Sequence, residues 1–160
     1  MTEAEKRQHR VCFTGHRPEK LTQPESVVCT ALEKEIRQAI ADGLTVFISG
    51  MARGVDIWAA EIVLHIRDEG QSVRLICASP YEGFDRTWRA DWQERYRTIL
   101  DKADYVKYVC PYYSRACFQI RNEWMVNRSS RVIAVYNGSS GGTHNTIKYA
   151  KQKKVDCILI

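Results

Sequence analysis

The chain of 160 residues is long enough for one domain with a hydrophobic core, and its 44% apolar and 27% charged residues are ordinary for a globular protein. No apolar run approaches the roughly 20 residues needed to span a bilayer, and the polar N-terminus lacks the apolar segment of a secretion signal, so we expect a cytoplasmic protein without membrane contact. The net charge of +5 is mild and the basic residues are scattered, which argues against nucleic acid as a partner.

Six apolar runs alternate with longer amphipathic stretches along the chain. The runs are mostly continuous, as in strands that are buried on both faces of a parallel sheet. We predict strands at Val11–Phe13, Thr45–Ile48, Val73–Cys77, Tyr105–Val109, Val132–Val135 and Cys157–Ile160, and helices at Glu25–Ala41, Val55–Arg67, Asp85–Asp101, Cys117–Asn127 and Asn145–Lys153. This alternation predicts a doubly wound, mainly parallel α/β sheet with helices on both faces, formed by residues 10–160 as a single domain after a polar tail of residues 1–9.

Six cysteines occur without a CxxC pair, and most of them lie inside apolar runs. Reduced, buried thiols are typical of cytosolic proteins, whereas disulfides and metal sites need paired spacings. We therefore predict reduced core cysteines and no metal site. The residues concerned are Cys12, Cys29, Cys77, Cys110, Cys117 and Cys157.

Three glycine-containing loops follow predicted strands and therefore share one edge of the sheet, where ligands of such folds bind. Glycine lets a ligand approach the backbone, and a helix N-terminus offers free N–H groups, so the loops together predict a cradle for a phosphate or carboxylate. Each loop taken alone is equally well explained as a tight turn, and none matches the Walker or GxGxxG pattern. The candidate residues are Thr14, Gly15, His16 and Arg17 in the first loop, Ser49, Gly50, Arg53, Gly54 and Asp56 in the second, and Asn137, Gly138, Gly141, Gly142 and Thr143 in the third.

Arginine is the side chain best suited to hold a phosphate, because its planar fork can bond two oxygens. Arg17 and Arg53 lie within two of the loops, and we interpret both as ligand contacts. Arg121 falls on the fourth predicted crossover helix, where a ligand contact and a local salt bridge are equally supported.

His16 is the one histidine among the candidate residues of these three loops, and an imidazole ordinarily titrates near neutrality. No nucleophile is evident beside it, so a hydrogen bond to phosphate or a brace of its own turn is preferred over a catalytic role. A base could stack on an aromatic ring, and the sequence does not choose among Trp88, Trp92, Tyr96, Tyr112 and Tyr113. The Pro-Gly loop that precedes Trp88 is predicted to form a wall or lid of the site.

Four stretches in this order resemble the YpsA-like family of bacterial and phage proteins: FTGHRP, FISGMARGVDIWAAE, QIRNEWMV and VIAVYNGSSGGTHNTIKYAK. That family belongs to the SLOG superfamily with DprA and the LOG phosphoribohydrolases, and the similarity extends from about Val11 to Ile160. The resemblance implies a Rossmann-like fold and a pocket for a nucleotide-derived ligand related to NAD or ADP-ribose, which suits a sensor or regulatory domain. It also implies that Arg121 and Asn122 contact the ligand, and it leaves a homo-oligomer open.

The resemblance also raises the question of catalysis. LOG enzymes carry a PGGxGTxxE pattern whose glutamate serves catalysis, and aligning Gly142-Thr143 with it places Thr146 at that position. A threonine cannot act as a carboxylate base, which argues against LOG-type N-glycosidic hydrolysis. Hydrolysis of a nucleoside monophosphate or ADP-ribose derivative is therefore the alternative function, with His16, Asp56 and Glu61 as candidate catalytic residues. A DprA-like interaction with single-stranded nucleic acid is a second alternative.

Overall fold

Six strands and six helices alternate along the chain in the computed structural model, which describes residues 1–160. In chain order they are α1 Glu3–Arg7, β1 Arg10–Gly15, α2 Glu25–Ala41, β2 Val46–Ser49, α3 Val55–Asp68, β3 Arg74–Ser79, α4 Ala90–Lys102, β4 Tyr105–Tyr108, α5 Cys117–Asn127, β5 Arg131–Val135, α6 Gly142–Gln152 and β6 Asp156–Leu159. A short 3-10 turn at Pro18–Lys20 follows β1. The predicted Rossmann-like α/β fold is confirmed.

Two helices begin at positions that differ from the prediction. The backbone of Arg89 is extended, so α4 begins at Ala90, and the segment from Asp85 to Trp88 forms turns instead. Helix α6 begins earlier than predicted, because Gly141 adopts a positive φ of 134° and serves as its N-cap.

Residues 1–9, predicted as a polar tail, contain the short helix α1. The Thr2 hydroxyl accepts a hydrogen bond from the Glu5 N–H at 3.2 Å, and the Glu5 carboxylate accepts one from the Thr2 N–H at 3.0 Å. This reciprocal pair is a capping box, which satisfies two donors at the helix start. An ion pair of 2.6 Å between Glu3 and Arg10 joins the helix to the first strand.

All strand pairs of the sheet are parallel, in the order β4-β3-β2-β1-β5-β6. Cys12 in β1 pairs with Ile48 on one side and with Val132 on the other. The strand order therefore runs outward from β1 in both directions, and it reverses between β1 and β5. Ligands of open parallel sheets bind in the crevice at such a switch point, beyond the carboxyl ends of the strands.

Two hydrophobic cores cover the two faces of the sheet. Helices α2, α3 and α4 pack on one face with Phe13 and Phe47, whose stacked rings lie 6.0 Å apart. Helices α5 and α6 pack on the other face with Cys12 and Ile48. Because both faces of the strands are covered, their sequences are continuous apolar runs.

Glycines allow the first two loops to meet at the switch point. A Cβ atom on Gly15 would lie 2.5 Å from the Cβ of Val55, so only glycine lets the start of α3 pack against the end of β1. Gly54 has a φ of 92°, and a Cβ there would come within 2.8 Å of the Pro18 ring. Because neither glycine carries a side chain, the loop after β1 can pack against the loop after β2.

All six cysteines are free thiols, and Cys12, Cys77, Cys110 and Cys117 are buried. No three side chains of the His, Cys, Asp or Glu type are grouped so as to hold a metal ion. None of the helices combines the length and the hydrophobicity required to cross a membrane.

Candidate functional site

A cleft of about 340 Å³ opens at the carboxyl edge of the sheet, beside the switch point between β1 and β5. Most residues predicted to bind a ligand line it: Thr14, Gly15, His16, Arg17, Arg53, Asp56, Arg121, Asn122, Gly141, Gly142 and Thr143. Ser49, Gly50, Gly54, Asn137 and Gly138 lie outside its lining. The cleft is also lined by residues that the sequence analysis did not identify, namely Phe13, Lys20, Ala52, Phe84, Phe118 and Ser140.

Two of the predicted residues outside the lining, Ser49 and Gly50, hold the loop after β2 in place. The buried Ser49 hydroxyl donates to the Asp56 carbonyl at 2.8 Å and accepts from the Met51 N–H at 3.2 Å. A Cβ on Gly50 would lie 2.9 Å from Nη1 of Arg121 and 3.0 Å from Oδ2 of Asp56. Gly50 therefore makes room for two charged side chains of the cleft.

Asn137 holds the loop after β5 in a similar way. Its side-chain amide donates to the Lys20 carbonyl at 2.9 Å, and its Oδ1 accepts from both the backbone N–H and the hydroxyl of Ser139. The hydrogen-bonding groups of the Asn137 side chain are thus engaged within the protein. Its contribution is to join the loop after β5 to the turn after β1.

Cationic side chains line the cleft on the β1 and β2 side. Arg17 and Lys20 are exposed and make no ion pair. Arg53 pairs with Glu19 at 2.7 Å, and this hydrogen bond lowers the pKa of the Glu19 carboxyl below its ordinary value. Since Asp56 is the only acidic residue in the lining, the cleft is net positive.

The start of α6 adds to this positive character. Gly141, Gly142 and Thr143 form the first turn of that helix and line the cleft. N–H groups in the first turn have no acceptor within the helix, and the helix dipole places positive potential there. A Cβ on Gly142 would meet nothing closer than the Asn122 amide at 3.9 Å, so this turn is open toward the cleft.

Asp56 and Arg121 are two buried charged residues of the cleft, each 5% exposed. Arg121 donates through Nε to the Asn122 side-chain oxygen at 2.9 Å and through Nη1 to the Gly50 carbonyl. Oδ2 of Asp56 accepts from the Ala52 N–H at 3.2 Å, whereas Oδ1 of the same carboxylate is buried without a hydrogen-bond partner. Burial raises the pKa of Asp56 to about 6, although the nearby Arg121 charge opposes that rise.

His16 braces the loop after β5. Its Nε2 lies 3.2 Å from the Asn137 N–H and must accept that hydrogen bond, so the ring is neutral with its proton on Nδ1. Burial lowers the pKa of His16, and the nearby Lys20 charge lowers it further. The ring also stacks on Tyr136 with centroids 5.9 Å apart. His16 thus braces the loop after β5 and not its own turn, and a hydrogen bond from His16 to a phosphate stays a prediction.

An aromatic wall closes the β3 side of the cleft and consists of Phe84, Trp88 and Phe118. The Phe84 ring meets Trp88 edge-on at a centroid distance of 5.0 Å and lies 5.8 Å from Phe118. Phe84 and Trp88 belong to the loop after β3, which is the loop predicted to form a wall or lid of the site. Of the aromatic candidates, only Trp88 lines the cleft: Trp92 and Tyr96 are buried in the core, and Tyr112 and Tyr113 are exposed outside it.

The cleft is lined neither by Glu61, a catalytic candidate, nor by Thr146, which stands at the position of the LOG glutamate. Glu61 on α3 pairs with Arg95 at 2.6 Å and does not line the cleft. Thr146 is fully buried, and its hydroxyl donates to the Gly142 carbonyl at 2.8 Å within α6. Asp56 is therefore the only carboxylate that lines the cleft.

Solved structures of DNA processing protein A share this fold. The chain superposes on the Streptococcus pneumoniae protein with a TM-score of 0.70 and 19% identity, covering 95% of this chain and 50% of that one. For the Helicobacter pylori protein, which was described for its single-stranded DNA binding mode, the TM-score is 0.66 at 20% identity, covering 98% of this chain and 66% of that one. The chain thus spans only part of these proteins, and the likeness at this identity concerns the fold.

Sequence relatives match this chain over most of the length of both proteins. A UPF0398 protein of Bacillus thuringiensis (strain Al Hakam) is 31% identical over 153 residues, which covers 90% of this chain and 83% of the relative. A UPF0398 protein of Bacillus cereus (strain AH187) matches to the same extent. The model of the YspA SLOG family matches residues 11–159, in agreement with the resemblance that the four sequence motifs indicate. The chain belongs to the YspA SLOG family.

Proposed function

We propose that the chain binds a small nucleotide-derived anion in this cleft, of the class of NAD, ADP-ribose or a nucleoside phosphate, as a cytoplasmic sensor or regulatory domain. The observation that carries the proposal is that one cleft combines a cationic side with an aromatic wall. A phosphate needs the first feature and a nucleobase needs the second.

The phosphate would lie between Arg17 and the first turn of α6. Arg17 is exposed and free of ion pairs, so its guanidinium is available to a ligand without breaking an existing contact. The N–H groups of Gly142 and Thr143 supply directional donors on the facing side. Arg53 adds charge nearby, although a ligand must compete with Glu19 for it.

The base would lie against the aromatic wall. Phe84, Trp88 and Phe118 are partly exposed, and they line the same cleft as the cations. Stacking of a base on an aromatic side chain contributes about 1–3 kcal/mol and tolerates any base, because every base has a π-face. The wall therefore favours a nucleotide over a simple inorganic anion.

Calorimetry and thermal-shift measurements with NAD, ADP-ribose, AMP and cyclic nucleotides test the proposal. At least one of them should raise the melting temperature at concentrations well above its dissociation constant. Arg17→Ala should weaken that ligand about tenfold or more, since a hydrogen bond to a charged group is worth about 1.5–3 kcal/mol. Arg74→Ala is the matched control, because Arg74 is also exposed but lies at the amino end of β3. Stabilisation by none of these compounds, or equal loss in both variants, would contradict the proposal.

Hydrolysis of an N-glycosidic bond is a second candidate function, and Asp56 is the observation in its favour. A carboxyl with a pKa of about 6 at the floor of a cleft is suited to general acid or base catalysis near neutral pH. Chromatography of AMP or NAD after incubation with the protein should then show free base, and Asp56→Asn should abolish its release. Absence of free base with the wild-type protein would remove this candidate.

Binding of single-stranded nucleic acid is a third candidate, supported by exposed rings that continue the aromatic wall. Tyr113 is 61% exposed, and its ring lies 6.2 Å from Phe118. Tyr112 beside it is 71% exposed. A labelled oligonucleotide should then bind with a steep salt dependence, and Tyr113→Ala should weaken it. No binding at low salt would exclude this function.

A further inference from the structure

Asp56 lines the cleft, and one of its carboxylate oxygens has no hydrogen-bond partner. Its Oδ2 is engaged by the Ala52 N–H, but its Oδ1 has no partner, and the residue is only 5% exposed. A buried acceptor without a partner is costly, and it is expected to gain a donor when the site is occupied. We infer that Asp56 accepts a hydrogen bond from a ribose hydroxyl, so that the cleft selects ribonucleotides over 2′,3′-dideoxyribonucleotides; this inference rests on the proposed function.

The order of the strands places Asp56 between the two parts of the cleft. Phe84 and Trp88 follow β3, Asp56 follows β2, Arg17 follows β1, and the first turn of α6 follows β5. These strands are neighbours in the order β3-β2-β1-β5 and lie about 4.8 Å apart. A base at the β3 side and a phosphate at the β1 and β5 side leave the sugar above β2, where Asp56 lies.

The charge of Asp56 agrees with this placement. A carboxylate repels a phosphate, so the ligand group beside it must be a donor rather than an anion. In a nucleotide the sugar hydroxyls are donors, and they lie between the phosphate and the base. Arg121 does not supply this donor, because it donates to the Gly50 carbonyl and to the Asn122 side-chain oxygen instead.

The inference is tested with matched pairs of nucleotides and the intact protein. The affinity of AMP is compared with that of 2′,3′-dideoxy-AMP by calorimetry at pH 8, and the ribo and dideoxy monophosphates of the other common bases are measured in the same way. Removal of both hydroxyls should weaken binding to the wild-type protein about tenfold or more, as expected for a hydrogen bond to a charged acceptor. This comparison needs no variant and is independent of how a substitution folds.

Asp56→Asn should reduce the preference. The Asn oxygen must accept from the Ala52 N–H, so an NH₂ group takes the place of the free acceptor. A ribose hydroxyl could then only accept a hydrogen bond from a neutral group, so the difference between ribo and dideoxy ligands should fall about fivefold. Asp104→Asn is the control, because Asp104 also accepts a backbone N–H but lies at the amino end of β4; it should keep the wild-type preference. Equal wild-type affinity for ribo and dideoxy ligands overturns the inference alone, whereas binding of neither overturns the proposed function and the inference with it.

Discussion

The buried carboxyl of Asp56 should make the stability of the protein depend on pH. Its pKa is about 6 in the folded protein, above its ordinary value of 3.8, because burial disfavours the charged form. The folded state therefore holds this proton more tightly than the unfolded chain. The stabilisation is fully present below about pH 3.8 and is lost as the pH rises through about 6. The rise from 3.8 to about 6 corresponds to about 3 kcal/mol in the free energy of unfolding.

Asp56→Asn isolates this effect, because the amide resembles the protonated carboxyl and still accepts from the Ala52 N–H. Urea unfolding of wild type and variant between pH 4 and pH 8 gives the difference in unfolding free energy at each pH. The two proteins should be similar at pH 4, and the variant should gain up to about 3 kcal/mol over the wild type by pH 8. Asp104→Asn should show no such growing gain, because it removes the ion pair of 2.8 Å with Arg67 and not an unpartnered buried oxygen. A difference that is constant over this range, or that favours the wild type at pH 8, would refute the reasoning.

Three further predictions concern residues of the first and third loops. Gly15→Ala should destabilise the fold by at least about 2 kcal/mol, because its Cβ would lie 2.5 Å from Val55, and thermal unfolding measures this. Gly142→Ala should leave the melting temperature nearly unchanged, because its methyl group would meet nothing closer than the Asn122 amide at 3.9 Å, but it should weaken binding of the nucleotide identified in the screen, because Gly142 lines the cleft. NMR of the imidazole nitrogens should show His16 protonated on Nδ1, with a pKa below 6.5; protonation on Nε2 would contradict its hydrogen bond from Asn137.

The sheet could be predicted because its signals are local. Each strand is a short apolar run, and each crossover helix carries an apolar face or is apolar nearly all round, as α3 is. The strand order is not local, but the rules of parallel sheets place the glycine loops at one edge whatever the order is. That is why residues as distant in sequence as Arg17 and Gly142 could be assigned to one site.

The aromatic wall could not be predicted in full, because ring positions depend on how loops pack. Phe84 and Phe118 come from different segments, and nothing in either segment distinguishes a ring that lines a cleft from one that fills a core. The contrast between Trp88 and Trp92 shows this clearly: both belong to the predicted helix Asp85–Asp101, yet the first lies in the loop before α4 and the second is buried. The difference follows from the extended backbone at Arg89, which no sequence pattern predicts.

The roles of individual glycines and polar residues needed side-chain contacts. Gly15 was predicted to let a ligand approach, and it does line the cleft, but the contact with Val55 shows that packing alone already requires glycine there. A glycine in a loop can therefore be required for packing and line a binding site at the same position. Only a substitution that separates stability from affinity, as Gly142→Ala does, can distinguish the two.

At Asp56, stability and ligand binding also have to be considered separately, because this residue lowers the stability of the fold. Its burial without a full set of partners weakens the folded protein at neutral pH, so packing does not explain the residue. A group that lowers stability and faces a cleft is more readily understood as a binding group whose partner arrives with the ligand. The two measurements on Asp56→Asn should then move in opposite directions: the variant should be more stable at pH 8, and it should distinguish ribose from dideoxyribose less strongly. A variant that gains stability and keeps the full distinction would assign the ribose contact to another residue of the cleft.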